Sequence, residues 1–133
     1  MKVIVDSDVW SEAFRKRAGD PSPELRMLGD LIRESRVQML GCIRQEVLQG
    51  LGRQEVFERI RQTLRPLPDQ EVTALEYELA AEFFNTCRQN GIQGSSTDFL
   101  IAACSAAFGL PILTKDKDFA RYAEHLPLKL VQV

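Results

Sequence analysis

The chain has 133 residues, 44% of them apolar, which is enough for one domain with a real core and too apolar for a disordered segment. No apolar run approaches the ~18 residues of a membrane span, and Lys2 is not followed by a signal-peptide core, so a cytoplasmic protein is expected. The net charge of −2 does not advertise nucleic-acid binding and does not forbid it, because local patches set the field at a site; Arg15-Lys16-Arg17 and the pair Lys115 and Lys117 are two such patches.

In chain order, residues 2–5 read as a buried strand, ending at Asp6-Ser7-Asp8. Asp8 or Ser7 can cap the following helix, whose Trp10, Ala13 and Phe14 share a face. "GDPSPE" breaks it, and Ser22 followed by Pro23 starts a second helix with Leu25, Leu28, Leu31 and Ile32 as its stripe. Residues 37–40 are a second strand. A helix marked by Ile43, Val47, Leu48 and Leu51 follows, and it extends or restarts after Gly52. "RPLP" is a connector. The next helix keeps apolar positions 72, 75, 79, 83 and 87, and Asn90-Gly91 ends it. "STDFLIAACSAAF" is apolar nearly all round, as a central buried helix is; Ser96 or Thr97 caps it and Gly109 terminates it. "PILT" reads as a strand, "KDFARYAEHL" as a short helix and "LKLVQV" as a last strand. The alternation predicts one α/β domain over 1–133, with a central, mostly parallel sheet flanked by helices on both faces.

Cys42, Cys87 and Cys104 lack metal-ligand or disulfide spacing and read as small core residues. His125, the only histidine, has no orienting motif around it for a nucleophile pair.

The carboxylates are more informative. Asp6 and Asp116 each follow a predicted strand, where parallel sheets bind ligands. Asp98 opens the apolar helix. Glu46 borders the buried stripe of its helix, without a cation at i±3 or i±4. If the four converge, they repel and some of their pKa values rise. A divalent cation resolves that repulsion, and hard oxygen donors suit Mg²⁺ or Mn²⁺ rather than zinc. The chemistry such a site serves is phosphoryl transfer.

Taken together, "VDSDVW", "IRQEVLQG" and "STDFLIAACSAAFGLPILTKDKDF" resemble a PIN-domain ribonuclease, and the length and layout are similar to VapC-type toxins of prokaryotic toxin–antitoxin pairs. The resemblance covers essentially the whole chain. It implies a PIN-like fold and a metal-dependent endoribonuclease whose acidic residues are Asp6, Glu46, Asp98 and Asp116, with Asp118 as the alternate fourth position. Asp6, Asp98 and Asp116 would hold one or two Mg²⁺ or Mn²⁺ ions, and Glu46 would orient or deprotonate the attacking water. Ser7, Thr97 and Thr114 would support the carboxylates. Many family members carry Asp-Thr-Asn at the first motif, whereas this chain has Asp6-Ser7-Asp8; Asp8 is either a carboxylate behind the metal ligands or the helix cap. Arg15, Lys16 and Lys115 are candidates for gripping the RNA backbone. An antitoxin partner and a homodimer follow from the same resemblance.

Two other classes compete. Asp6-x-Asp8 after an apolar run also fits a haloacid-dehalogenase-type phosphatase, with Asp6 as nucleophile and Asp8 as general acid, but that leaves Glu46 and Asp98 without roles. A non-catalytic interaction module on the same fold is the other, and a metal-dependent DNA nuclease lies within the same chemistry.

Overall fold

The computed structural model describes residues 1–15 and 19–133. Among these are three strands, β1 (Val3–Val5), β2 (Val37–Gln38) and β3 (Ile112–Leu113). The seven helices are α1 (Ser7–Phe14), α2 (Pro23–Arg33), α3 (Gly41–Leu48), α4 (Gln54–Leu64), α5 (Ala74–Gln89), α6 (Ser96–Phe108) and α7 (Asp118–Ala123). No helix among the described residues is long and apolar enough to cross a membrane.

β1 consists of three β-branched residues, each no more than 2% exposed. It pairs in parallel on both sides: Val3 and Ile4 with Val37 and Gln38, Ile4 and Val5 with Ile112 and Leu113. A central parallel strand has no solvent face, which is why it reads as an unbroken apolar run. The sheet order is β2-β1-β3. The chain leaves β1 through α1 and α2 to reach β2 on one side, then passes through α3 to α6 to reach β3 on the other. The direction of winding therefore reverses at β1. The crevice beyond the carboxyl ends of β1 and β3 is the switch point at which such sheets bind ligands.

One core cluster runs from β1 to Leu128. Ile4, Ile43, Ile101 and Ile112 are fully buried, and each contributes roughly 1.5–3 kcal/mol relative to exposure. α6 is central as expected, with Phe99 and Ile101 through Ser105 buried. Its cap is Ser95 rather than Ser96 or Thr97: the Asp98 N–H donates to Ser95 Oγ at 3.0 Å. Gly109 closes the helix in the left-handed region at φ 66°, where a Cβ would be strained.

Several expected elements differ. The last strand reduces to a single parallel bridge between Ile112 and Leu130, held by two backbone hydrogen bonds. The connector after α4 adds a matching bridge from Asp69 to Met39 on the other edge. Gly52 lies between two separate helices, so α4 restarts rather than extends α3. Two positions of the predicted apolar stripes face solvent: Ile32 is 54% exposed and Leu75 is 71% exposed. Leu75 lies in the first turn of α5, where Glu76 folds back instead. Its carboxylate accepts from the Thr73 N–H at 2.7 Å in a capping box, which buries the charged residue and turns the leucine outward. Val72 precedes the helix altogether.

Candidate active site

Asp6 follows β1 and its own N–H still donates to the Leu113 carbonyl, continuing the ladder to β3. It is also the N-cap of α1. Its Oδ1 accepts from the Ser7 N–H at 2.8 Å, and Oδ2 accepts from Thr114 Oγ1 at 2.7 Å. The side chain is 5% exposed. Neither Ser7 nor Asp8 caps the helix, contrary to the sequence reading, because the residue before them reaches the free N–H first.

Thr114 links the Asp6 carboxylate to the backbone of Asp116. It donates to Asp6 and accepts from the Asp116 N–H at 3.0 Å. Asp116 Oδ1 in turn accepts from the Asp118 N–H at 2.9 Å, a local turn that starts α7. Asp8 faces the same loop, and both its oxygens accept from the Lys115 N–H, at 3.2 and 3.4 Å. Glu46, on α3, accepts from Ser7 Oγ at 3.0 Å, so the partner that its own helix does not offer comes from the residue next to Asp6. Asp98, in the first turn of α6, accepts from the Tyr122 hydroxyl at 2.7 Å.

The electrostatics record the convergence. Burial pushes the Asp6 carboxyl up to about 7, against the opposing Thr114 and Ser7 hydrogen bonds, and the charges of Asp8 and Asp98 raise it further. Burial also raises Asp98; Tyr122 and Ser95 lower it, and Asp116 and Asp118 raise it. Asp8 is raised by burial and by Asp116, while the Lys115 N–H holds it down. Asp6, Asp8, Asp98, Asp116 and Asp118 thus share one field at the switch point, and Glu46 is tied to it through Ser7.

Other expected site residues stand elsewhere. Thr97 lines an apolar groove of about 450 Å³ with Tyr77, Phe84 and Leu100. Lys115 Nζ donates to Glu12 at 2.9 Å, so its charge is already engaged. Arg15 is exposed just after α1, and Lys16 lies outside the described residues. Three contributors went unread in the sequence: Tyr122, Ser95 and Glu12. Tyr122 left a faint signal, since it is a polar-tipped aromatic in the Phe119–Tyr122–Leu126 stripe. Glu12 is four residues from Asp8, on the same helical face.

The donor set consists of hard oxygens, which fits Mg²⁺ or Mn²⁺. Among the described residues no three His, Cys, Asp or Glu side chains stand close enough together to hold a metal ion directly.

The PIN domain model matches residues 3–125. The chain belongs to the PIN domain family. PIN domains are typically nucleases, and the match leaves the dehalogenase-type layout without support. This PIN domain is similar to a chain in the crystal structure of VapBC2 from Rickettsia felis bound to a DNA fragment from the promoter, with a TM-score of 0.77 at 17% identity over 99% of this chain and 98% of that one. It is similar to a chain of FitAcB from Neisseria gonorrhoeae, with a TM-score of 0.70 at 21% identity over 98% and 96%. A chain of FitAB bound to the IR36 DNA fragment gives a TM-score of 0.74 at 20% identity over 97% and 93%. At these identities the likeness shows the fold. Among curated proteins none matches significantly.

Proposed function

We propose that this PIN domain, taken as one unit over 1–133, is a Mg²⁺- or Mn²⁺-dependent endoribonuclease and the toxin of a type II toxin–antitoxin pair. The observation that carries the reading is Asp6: a buried carboxyl with its acidity weakened to about 7, sharing a field with Asp98, at the sheet's switch point. Asp6, Asp98 and Asp116 would hold the cation partly through water, since no three carboxylates among the described residues converge on one point. When bound, it neutralises charge on the phosphodiester and makes water a better nucleophile. The chain's own residues do the rest. Thr114 fixes the separation of Asp6 and Asp116 by bonding both. Ser7 points Glu46 toward the site, where its free oxygen orients the attacking water and accepts its proton. Tyr122 holds Asp98 in one rotamer. Asp8 acts behind the ligands, on the loop that carries Asp116. Arg15 and Lys16 follow α1 in sequence and are the cations offered to the RNA backbone.

The solved structures of similar fold are VapBC2 and FitAB, each bound to DNA, which supports an antitoxin partner; that this partner blocks the acidic cleft is part of the same proposal. A homodimer working in the cytoplasm belongs to the same proposal and rests on the sequence resemblance to VapC-type toxins. The test uses purified protein, single-stranded RNA and Mn²⁺ or Mg²⁺. The wild type cleaves RNA in preference to DNA, EDTA stops it, and Asp6→Asn and Asp98→Asn lose about 10²-fold or more while remaining folded. Undiminished cleavage in EDTA, or by both variants, refutes the assignment. Cleavage of DNA alone would replace RNA as the substrate, and inertness on both polymers would favour an interaction module.

A further inference from the structure

Lys115 stands between Thr114 and Asp116, the two residues that shape the site from the β3 side. Its backbone and its side chain are both held by α1. The N–H donates to Asp8, and Nζ donates to Glu12 at 2.9 Å, one helical turn further along. Glu12 is 5% exposed and accepts two more bonds, from Ser22 Oγ at 2.6 Å and from the Ser22 N–H at 3.1 Å. A buried carboxylate with three donors is rigidly placed. β3 is only two residues long, and no helix begins until Asp118. The backbone ladder therefore does little to hold 114–117, and side-chain anchors must set where the loop lies.

We propose that Glu12 is a positioning residue for the nuclease reaction, acting through Lys115 to hold the 114–117 loop so that Thr114 and Asp116 face Asp6. Lys115 is then a tether and not a grip on the RNA backbone. Glu12 joins this loop to Ser22, the N-cap of α2, so the loop is referenced both to α1, which Asp6 caps, and to α2. The inference rests on the nuclease reading for its kinetic consequence but not for its structural one.

The test compares Glu12→Gln, Lys115→Met and the double variant in the full chain by two measurements. Lys115→Met leaves the Ser22 contacts intact, so it reports on the tether even if Glu12→Gln folds poorly. In amide hydrogen exchange, both single variants speed exchange at residues 114–118 by about 10-fold or more without equal loosening of the α2 N-terminus in Lys115→Met. In steady-state cleavage, kcat falls about 10-fold in each single variant with KM within about 2-fold, and the double variant is no worse than either single one. Unchanged exchange at 114–118 in both variants overturns the proposal. So does a raised KM in Lys115→Met beside an unaffected Glu12→Gln, the mark of a lysine that touches RNA. If the wild type cleaves no nucleic acid, the nuclease reading fails by itself, and the exchange measurement alone decides whether Glu12 anchors the loop.

Discussion

Replacing Asp6 with asparagine should make the metal-free protein more stable, and by an amount that depends on pH. Asparagine keeps an oxygen for the Ser7 N–H and an amide that can donate to Thr114 Oγ1, so the shape of the site survives. What disappears is a carboxylate that burial penalises. With the folded-state value near 7 against an ordinary 3.8, the native state binds a proton that the unfolded chain has already released between those limits. The contribution of this group to wild-type stability therefore falls as pH rises from about 4 to about 7, and none of it remains above 7. The gap corresponds to a ceiling of about 4 kcal/mol, at roughly 1.4 kcal/mol per pH unit. For a chain of this length that is on the order of 10 °C in Tm. The assay is urea or thermal unfolding of both proteins in EDTA at pH 4, 6 and 8. Asp6→Asn should gain most at pH 8 and little at pH 4. Parallel curves across that range, or an asparagine variant less stable at pH 8, would refute the account of Asp6 as a desolvated carboxylate.

Adding Mn²⁺ or Mg²⁺ at pH 8 should stabilise the wild type, by about 2.7 kcal/mol at a hundredfold excess over Kd; an Asp6→Asn/Asp98→Asn double variant should show no such gain in the same melt. Tyr122→Phe removes the donor on Asp98 while keeping the ring against Phe99 and Phe119. It should cost about 1 kcal/mol in unfolding and roughly 10-fold in cleavage, the size of one hydrogen bond; unaltered cleavage would show that Asp98 needs no such support. Gly94→Ala would drive a methyl group into the Tyr122 hydroxyl and to within 2.8 Å of its Cζ, destabilising by about 1–3 kcal/mol in a denaturant titration. A wild-type midpoint for Gly94→Ala would mean that Tyr122 is free to move aside.

The sheet core and the placement of the acidic residues were legible because each rests on a local rule. Val3-Ile4-Val5 has no polar member, so it had to be buried on both faces, and the carboxylates at 6 and 116 follow strands whatever else the chain does. Gly109 ended α6 where expected because a left-handed glycine is a local signal, and Asp98 marked its first turn, although the cap fell on Ser95, before the expected Ser96 or Thr97. What failed was set by long-range partners. The segment 128–133 has strand-like residues, but only Leu130 meets β3, so the pattern alone overstated the pairing. Leu75 matched helical spacing yet faces water, because the capping box took its turn's inward direction for Glu76. Lys115 looked like a free cation beside an acidic loop; its partner lies 103 residues earlier in the chain and left no trace near it. Tyr122 was hidden for the same reason, since its role depends on a helix 24 residues away and on the missing side chain at Gly94.

The three cysteines bear on how such experiments can be performed. None is paired, Cys87 and Cys104 are buried, and Cys42 is half-buried. Burial pushes Cys42 up to about 12 and Cys104 to about 11, and raises Cys87 as well. At neutral pH almost no thiolate is present, and thiolate is the species that maleimides and iodoacetamides attack. The native chain is thus a silent background for thiol labelling. A single cysteine introduced at exposed Lys117, beside the acidic loop, would take a fluorophore or spin label selectively, with no need to strip the natural cysteines from the core first.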